Sequence, residues 1–360
     1  MAPISFARGV PAPECLAVDE IADCAKGAIE RGGPSVLLYG PGGGYGPLRE
    51  WIAERHGVEP SRVVITSGSL QGFVFLAQQL VAMPGTRVLV EAPTYDRPIK
   101  ILKRLGAEIV GVPMDEEGLV PDELPEGDFA FLYTIPTFQN PSGRSLTVER
   151  RRRLVELARE RGLLVLEDDP YGLVRYEGEP LPSLFELAGG DGVAYASSFS
   201  KTIAPGVRVG YFVLPGDLAT EIEALATSTY ISPPFMTQAT VHEFLRRGNF
   251  EPNLERVNGL LKARRDAMLE GLERHMPDGA AWSRPEGGYF VWLDLPDAAP
   301  SLADAEAAGV TFVPGTDFFA DGSGGSSMRL AFSYVTPEEI SDGVERLAGV
   351  LAGAPAPASL

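Results

Sequence analysis

Lys201 lies in a segment whose side chains suit covalent catalysis by an amine. Ser198 and Ser200 precede it, Arg208 follows it across a Pro-Gly turn, and an apolar run flanks the segment on each side. Each apolar run is long enough for a buried strand. A lysine held between buried strands is explained either by a buried ion pair or by an amine kept for Schiff-base chemistry. Both interpretations stay open on these residues alone.

A second group of polar and aromatic side chains follows other apolar segments, each shortly after a run that predicts a strand. These residues are Ser69, Tyr95, Asn140, Asp168 and Tyr171. In a sheet of parallel strands, ligands bind beyond the carboxyl ends of the strands. We therefore expect these side chains to meet Lys201 at one edge of a sheet.

The segment 68–71 predicts an anion site at the start of a helix. Exposed backbone N–H groups and the Ser69 hydroxyl would face the anion, although a serine that only caps the helix explains the same pattern. Arg208 adds a permanent charge with the fork geometry that suits a phosphate. Ser198 and Ser200 add hydroxyl donors. Together these groups predict a phosphate site beside Lys201.

Asp168 follows an apolar strand, so burial is expected, and a buried carboxylate requires a partner. That partner is either a protonated ring nitrogen or a neighbouring backbone group. Tyr95 either stacks on a flat ring or packs in the core. Tyr171 and Asn140 suit a phenolate oxygen on such a ring. A ring with a phosphate, a phenolate oxygen, a basic nitrogen and a lysine-bound aldehyde is pyridoxal phosphate (PLP).

Strands and helices that would position these side chains alternate from about residue 62. Apolar runs predict seven strands, at 63–65, 87–91, 107–112, 129–133, 163–166, 192–196 and 209–214. Continuous apolar strands separated by helices predict an α/β fold with a mostly parallel sheet covered by helices on both faces. Beyond residue 253, a long helix, three strands and a helix over 337–351 predict a smaller α+β domain.

Charge and cysteine content argue against several function classes. The 360 residues include 49 acidic and 31 basic side chains, and the net charge of −18 argues against nucleic-acid binding and against an anionic membrane surface. Cys15 and Cys24 are too few for a disulfide framework, and three scattered histidines argue against a zinc site. No apolar stretch approaches the length of a membrane span. These features predict a cytoplasmic protein that binds no metal.

Short motifs follow one another in a fixed order over nearly the whole chain. They lie at residue 39 and at 5–11, 44–49, 66–69, 91–95, 139–143, 167–171, 198–201, 205–208 and 328–330. In type and order they resemble the motifs of the PLP-dependent aminotransferases of classes I and II, which have fold type I. The chain is most similar to the subgroup acting on 2-aminoadipate, aromatic and branched-chain amino acids. The resemblance implies a large domain with a seven-stranded sheet, a small α+β domain built from both termini, and ping-pong transamination.

The resemblance also implies a role for each predicted site residue. Lys201 forms the Schiff base with PLP and later acts as general acid and base. Asp168 keeps the pyridine nitrogen protonated, and Tyr171 with Asn140 binds the phenolate oxygen. Tyr95 stacks on the ring. The phosphate contacts implied are Gly68, Ser69, Leu70, Gln71, Ser198, Ser200, Arg208 and Tyr39 of the partner subunit.

Arg329 matches the arginine that binds the substrate α-carboxylate, with Asn140 and the Gly9 backbone beside it. A surface ion pair on a strand is the alternative for Arg329. Because Tyr39 of the partner subunit reaches the phosphate, the resemblance implies a homodimer with shared active sites. It also implies small-molecule substrates, namely an L-amino acid and a 2-oxo acid such as 2-oxoglutarate.

Two further expectations concern the ends of the chain and the substrate pocket. Arg8 and the pair Glu14 and Cys15 depart from the subgroup's pattern beside the side-chain pocket, and Arg8 either binds a distal carboxylate or faces solvent. The expected domains are an N-terminal arm and intersubunit loop (1–46), a large PLP-binding domain (47–255), a small domain (256–352) and a disordered tail (353–360).

Two other functions compete with transamination. A PLP-dependent lyase, decarboxylase or cyclase would use the same cofactor site and differ in what happens at the substrate Cα. A transcriptional regulator with this fold would carry an N-terminal DNA-binding domain. The few residues before the arm and the acidic net charge argue against a regulator.

Overall fold

The computed structural model describes residues 3–353, which form 14 strands and 11 α-helices. The strands are β1 (Ile4–Ser5), β2 (Val63–Thr66), β3 (Arg87–Ala92), β4 (Glu108–Asp115), β5 (Gly118–Leu119), β6 (Leu132–Thr134), β7 (Val165–Asp168), β8 (Val193–Ser198), β9 (Gly210–Val213), β10 (Ala281–Trp282), β11 (Phe290–Asp294), β12 (Val310–Thr311), β13 (Val313–Pro314) and β14 (Ser327–Ala331). The α-helices are α1 (Val18–Gly32), α2 (Gly46–His56), α3 (Ser69–Leu80), α4 (Asp96–Arg104), α5 (Val148–Arg161), α6 (Leu184–Ala188), α7 (Gly216–Tyr230), α8 (Phe235–Arg246), α9 (Phe250–His275), α10 (Leu302–Ala307) and α11 (Pro337–Leu351).

The largest sheet has the strand order β2-β9-β8-β7-β6-β3-β4-β5. Strands β4, β3, β6, β7 and β8 run parallel to one another, whereas β9 lies antiparallel between β2 and β8. This mixed, mostly parallel sheet confirms the predicted α/β fold. The prediction of seven strands missed the short β5. Gly118 has a φ of +93°, which lets the chain reverse after an acidic turn, so that Leu119 pairs with Met114.

Successive residues of the central strands face two different hydrophobic cores. In β9, Tyr211 belongs to the core that includes residues of α2, α5, α6 and α8. The next residue, Phe212, belongs to the core that includes residues of α3, α4 and α7. Helices therefore cover both faces of the sheet. Because both faces are buried, the strands carry continuous apolar runs instead of an alternating pattern.

The C-terminal part contains a second sheet with the order β10-β11-β14-β13. Residues of α9 and α11 pack with this sheet in a third core. The N-terminal arm packs into the same core through Ile4 and Phe6, and its strand β1 pairs in parallel with β12 in a separate two-stranded sheet. A smaller α+β region built from both termini is therefore present, as predicted. The domain boundaries stay a prediction.

Three further expectations concern the C-terminal tail, a membrane span and a metal site. Of the predicted tail at 353–360, residues 354–360 lie outside the described residues. No helix within residues 3–353 combines the length and the apolar character needed to cross a membrane. Across the same residues, no group of three or more His, Cys, Asp or Glu side chains is placed to hold a metal ion.

Candidate active site

A cavity of about 420 Å³ opens at the edge of the large sheet where the parallel strands end. Asp168 and Ser198 are the last residues of β7 and β8, and Arg208 lies two residues before the antiparallel β9 begins. The predicted site residues that line this cavity are Gly9, Gly68, Ser69, Leu70, Tyr95, Asn140, Asp168, Tyr171, Ser198, Ser200, Lys201, Arg208 and Arg329. The structure thus brings almost the whole predicted set together.

Lys201 projects its amine into this cavity from the turn after β8. The Nζ atom donates a hydrogen bond to the Gly9 carbonyl at 2.8 Å and lies 5.1 Å from the centre of the Tyr289 ring. Burial, reinforced by the charges of Arg329 and Arg208, lowers the pKa of Lys201 to about 8. The amine is therefore partly neutral near physiological pH, as a nucleophile or a base must be.

Asp168 presents one engaged and one unengaged carboxylate oxygen. Oδ2 accepts a hydrogen bond from the Tyr133 hydroxyl at 2.7 Å, whereas Oδ1 is buried and has no hydrogen-bond partner among the described residues. Burial raises the pKa of Asp168 to about 7, and the bond from Tyr133 acts in the opposite direction. A cationic donor placed at Oδ1 would satisfy this atom and favour the ionised carboxylate.

The anion end of the cavity combines a helix start with an arginine. Gly68 directly precedes α3 with a φ of +84°, and a Cβ atom built there would lie 2.4 Å from Nη2 of Arg208. That Nη2 donates to the Ser67 carbonyl at 2.8 Å. Nearby, Ser198 Oγ donates to Ser200 Oγ at 2.8 Å. Backbone amides, hydroxyls and a guanidinium thus line one part of the cavity, and a side chain at residue 68 would push the guanidinium aside.

The cavity is also lined by a buried arginine, Arg329, on β14. It donates from Nη1 to Asn140 Oδ1 at 2.9 Å and from Nη2 to the Ala7 carbonyl at 3.0 Å. Its guanidinium lies 4.3 Å from the centre of the Phe290 ring. The Nε atom is buried without a partner in the described part of the chain. The surface ion pair considered for Arg329 is therefore wrong, because the side chain is 7% exposed and faces the cavity.

Two predicted cofactor residues lie outside the cavity. Gln71 turns back, and its Oε1 accepts a hydrogen bond from the Ser67 backbone at 2.8 Å. Tyr39 is 80% exposed on the loop after α1. The position of Tyr39 leaves its ring available to another molecule, whereas Gln71 supports the turn that leads into α3.

The three departures from the subgroup's pattern are also absent from the lining of this cavity. Arg8 places its guanidinium 5.0 Å from the centre of the Tyr334 ring. Glu14 forms an ion pair with Arg264, and Cys15 is a buried free cysteine.

A buried network that the sequence did not reveal supports the Asn140 loop. Glu91 accepts hydrogen bonds from Thr134 Oγ1 at 2.6 Å and from Gln139 Nε2 at 2.9 Å. Gln139 also accepts from the Ser142 backbone at 2.8 Å, on the far side of Asn140. Burial raises the pKa of Glu91 to about 7. Glu91 near the end of β3, Thr134 at the end of β6 and Gln139 after β6 were visible in the sequence, but their contact depends on the strand order.

Three observations indicate that these groups fit PLP. The orphaned Asp168 Oδ1 needs a cationic donor such as a protonated ring nitrogen. The space beside Gly68 and Arg208 suits a phosphate. The amine of Lys201, whose pKa is lowered, lies in the same cavity. The fold and the site together define a PLP enzyme of fold type I.

Comparison with known proteins agrees with this class. The family model described as aminotransferase class I and II matches residues 14–347, so the chain belongs to this family and is a PLP-dependent aminotransferase. It is 40% identical to a 2-aminoadipate transaminase of Thermus thermophilus, over 97% of this chain and 90% of that protein. It is 38% identical to aromatic-amino-acid aminotransferase 1 of Thermococcus litoralis, over 96% of this chain and 87% of that protein.

A solved structure extends the match to three dimensions. The α-aminoadipate aminotransferase of Thermus thermophilus, crystallised with N-(5'-phosphopyridoxyl)-L-leucine, superimposes with a TM-score of 0.92 at 38% identity. The match covers 98% of this chain and 92% of that one. The predictions of fold type I, of PLP as cofactor and of an enzyme are therefore confirmed. A lyase, decarboxylase or cyclase is not favoured by these relatives.

Proposed function

We propose that this aminotransferase moves the amino group of an L-amino acid of the 2-aminoadipate, aromatic or branched-chain type to a 2-oxo acid such as 2-oxoglutarate. One observation carries the proposal: Lys201, Arg329 and Arg208 line the same cavity, and the charges of both arginines act on the lysine amine. An amino acid bound to Arg329 would present its Cα to the amine. The names of the two relatives support the 2-aminoadipate and aromatic classes, and the leucine adduct in the solved structure supports the branched-chain class.

PLP, when bound, supplies a conjugated cationic ring that withdraws electrons from the substrate Cα. Lys201 acts on that carbon. With its pKa lowered to about 8, Nζ can take the proton from Cα and deliver it to the C4′ atom of the cofactor. The Gly9 carbonyl, which accepts from Nζ, orients the amine during this transfer.

The remaining cofactor residues hold and orient the ring in this proposal. Asp168 pairs through Oδ1 with the ring nitrogen, and Tyr171 with Asn140 binds the phenolate oxygen. Tyr95 packs against the ring face. The phosphate is held by the start of α3 from Gly68 to Gln71 together with Ser198, Ser200 and Arg208. The start of α3, which no side chain caps, and the adjacent guanidinium support this assignment.

Arg329 binds the α-carboxylate of each substrate through a two-pronged contact. Its fork is already fixed by Asn140 and by the Ala7 carbonyl. Gly9 lies beside it on the arm, where a Cβ atom would collide with Phe290 at 2.6 Å. A rigid, desolvated arginine fixes the orientation of the substrate before reaction.

A homodimer completes the site in this proposal. Tyr39 of the partner subunit reaches the phosphate, which explains why Tyr39 is exposed and absent from the cavity of its own chain. We further propose a cytoplasmic location, which agrees with two free cysteines in the described part of the chain.

Addition of single amino acids to the holoenzyme tests the reaction class. 2-Aminoadipate, phenylalanine and leucine should each convert the bound cofactor to its amine form, seen as a change in absorption, and 2-oxoglutarate should reverse it. A lyase or decarboxylase would consume the amino acid without a change that 2-oxoglutarate reverses. Lys201→Ala should bind PLP without a covalent link and lose turnover. A Lys201→Ala enzyme with full turnover would show that the proposed catalytic residue is wrong.

A further inference from the structure

Tyr133, in the middle of β6, is a buried tyrosine to which the reaction scheme assigns no role. Its side chain is 1% exposed, and its hydroxyl donates to Asp168 Oδ2 at 2.7 Å. The ring is fixed independently, since Phe73 packs edge-on against it with centroids 5.3 Å apart. Strand β6 pairs in parallel with β7, so Tyr133 and Asp168 project from neighbouring strands. A rigid donor therefore holds one oxygen of this carboxylate.

The other oxygen of Asp168, Oδ1, is available to a ligand in the cavity. Oδ1 has no partner among the described residues, although it is buried, and Asp168 lines the cavity. A carboxylate is planar, so fixing Oδ2 also sets the direction of Oδ1. The hydrogen bond from Tyr133 therefore decides where the free oxygen points.

We propose that Tyr133 is a positioning residue that aims Asp168 Oδ1 at the ring nitrogen of PLP and stabilises the ionised carboxylate. The inference rests on the proposed role of Asp168. Without the hydroxyl, both carboxylate oxygens would be buried without a donor from the protein, which favours the neutral acid. A neutral acid would no longer form an ion pair with a protonated ring. Tyr133 acts on the cofactor only through Asp168, since Tyr133 itself does not line the cavity.

The donor role of Tyr133 does not change with working pH. Burial, together with the charge of Asp168, raises the pKa of the Tyr133 hydroxyl well above its ordinary value. The hydroxyl therefore keeps its proton and remains a donor over the whole range in which the enzyme would work.

The neighbouring carboxylate, Asp169, offers a matched control. Tyr195 on β8 is also buried, and its hydroxyl donates to Asp169 Oδ2 at 2.9 Å. The other oxygen of Asp169 accepts from the Gly172 backbone at 2.7 Å, and Asp169 does not line the cavity. Tyr195→Phe therefore removes the same kind of hydrogen bond from the adjacent carboxylate without touching the cofactor site.

The test compares the PLP affinity and the absorption spectrum of the wild-type enzyme with Tyr133→Phe, Tyr195→Phe and Asp168→Asn. Tyr133→Phe keeps the ring and its packing, and thermal unfolding of the apoenzymes checks that the fold is retained. We expect Tyr133→Phe to weaken PLP binding about tenfold, the size of a lost hydrogen bond to a charged group. The absorption maximum of the bound cofactor should shift as the ring loses its proton. Tyr195→Phe should leave both quantities unchanged.

The outcomes separate the inference from the function on which it rests. Wild-type affinity and spectrum in Tyr133→Phe, or an equal loss in Tyr195→Phe, would overturn the positioning role. If Asp168→Asn also bound PLP like the wild type, the role of Asp168 itself would be wrong. In the Asp168→Asn background, Tyr133→Phe should add less than about a twofold further loss, because two residues acting through one contact are not additive. A full additional loss would contradict the inference.

Discussion

Three cations face one small cavity in a chain whose net charge is −18. Lys201, Arg208 and Arg329 all line it. The two arginines keep their charge, because guanidinium groups stay protonated in proteins. Burial and these two charges together weaken proton binding by the lysine. The same arrangement therefore attracts anionic ligand groups and favours the neutral form of the Lys201 amine.

Replacing Lys201 with methionine should stabilise the apoprotein near neutral pH. In the unfolded chain the lysine has its ordinary pKa of about 10.4, whereas the native pKa is about 8, so the unfolded chain binds the proton more tightly. Below pH 8 the lowered pKa destabilises the native state by its full amount, and this destabilisation decreases as the pH rises towards 10. We expect Lys201→Met to raise the free energy of unfolding by about 1–2 kcal/mol at pH 7.

Urea denaturation of the apoproteins at pH 7 and pH 10 measures this effect, and the gain should be several-fold smaller at pH 10. Lys26→Met is the control, because Lys26 is 74% exposed on α1, and surface substitutions change stability little. A gain of equal size at both pH values would show that packing, and not the charge of Lys201, sets the difference.

Most elements that position the site were predictable because their signals are local. Helix α11 has the predicted bounds, and Thr336 forms a capping box with Glu339 at its start. The strands that end at Asp168 and Ser198 were predicted from the apolar runs at 163–166 and 192–196. Between 215 and 252 no element was predicted, yet α7 and α8 lie there. Both helices begin directly after a proline, a turn signal that obscured the helix start.

Contacts between elements were less predictable than the elements themselves. The polar residues at strand ends could be predicted to converge, since parallel strands end at one edge. The bond between Tyr133 and Asp168 could not, because Tyr133 looks like a core residue inside an apolar strand. Glu91 and Gln139 also meet only because β3 and β6 are neighbours. Strand order is a property of the whole sheet, and no local pattern encodes it.

The turn between β2 and α3 gives a prediction at the scale of a single element. Gly68→Ala would force a side chain into a φ of +84° and place its Cβ 2.4 Å from Arg208 Nη2. We expect a stability loss of about 1 kcal/mol from the backbone and PLP binding weakened about tenfold from the displaced guanidinium.

Gly57→Ala is the matched control, because Gly57 has a φ of +62° and nothing within 4 Å of a built Cβ. It should show the stability loss without the loss of affinity. Thermal unfolding and PLP titration of both apoproteins measure the two effects separately. Equal PLP affinity in the two variants would mean that the space beside Gly68 does not hold the phosphate.

At the scale of the whole molecule, an exposed apolar segment stands apart from the three cores. Leu37, Leu38 and Tyr39 are 62%, 66% and 80% exposed. The next residue is anchored, since the Gly40 N–H donates to Ser232 Oγ at 3.1 Å. Exposed apolar side chains next to an anchored residue are the arrangement expected of a contact with another protein surface.

Hybrid dimers test whether Tyr39 serves the site of the other subunit. A Tyr39→Ala chain keeps Lys201, and a Lys201→Ala chain keeps Tyr39. If the tyrosine acts across the interface, a dimer of one chain of each kind has one intact site and one site with both defects. Each variant alone has only defective sites. Mixing the two variants under conditions that exchange subunits should therefore raise activity, towards one wild-type site per hybrid dimer.

A second pair of variants gives the opposite expectation and makes the test specific. Lys201 and Arg329 line the same cavity of one chain, so a hybrid of Lys201→Ala with Arg329→Lys has a defect in each site. Mixing these two variants should restore nothing, although subunit exchange proceeds equally. Recovery in this second mixture would contradict the assignment of both residues to one subunit. No recovery in the first, with exchange verified by mass, would show that Tyr39 acts within its own chain or not at all.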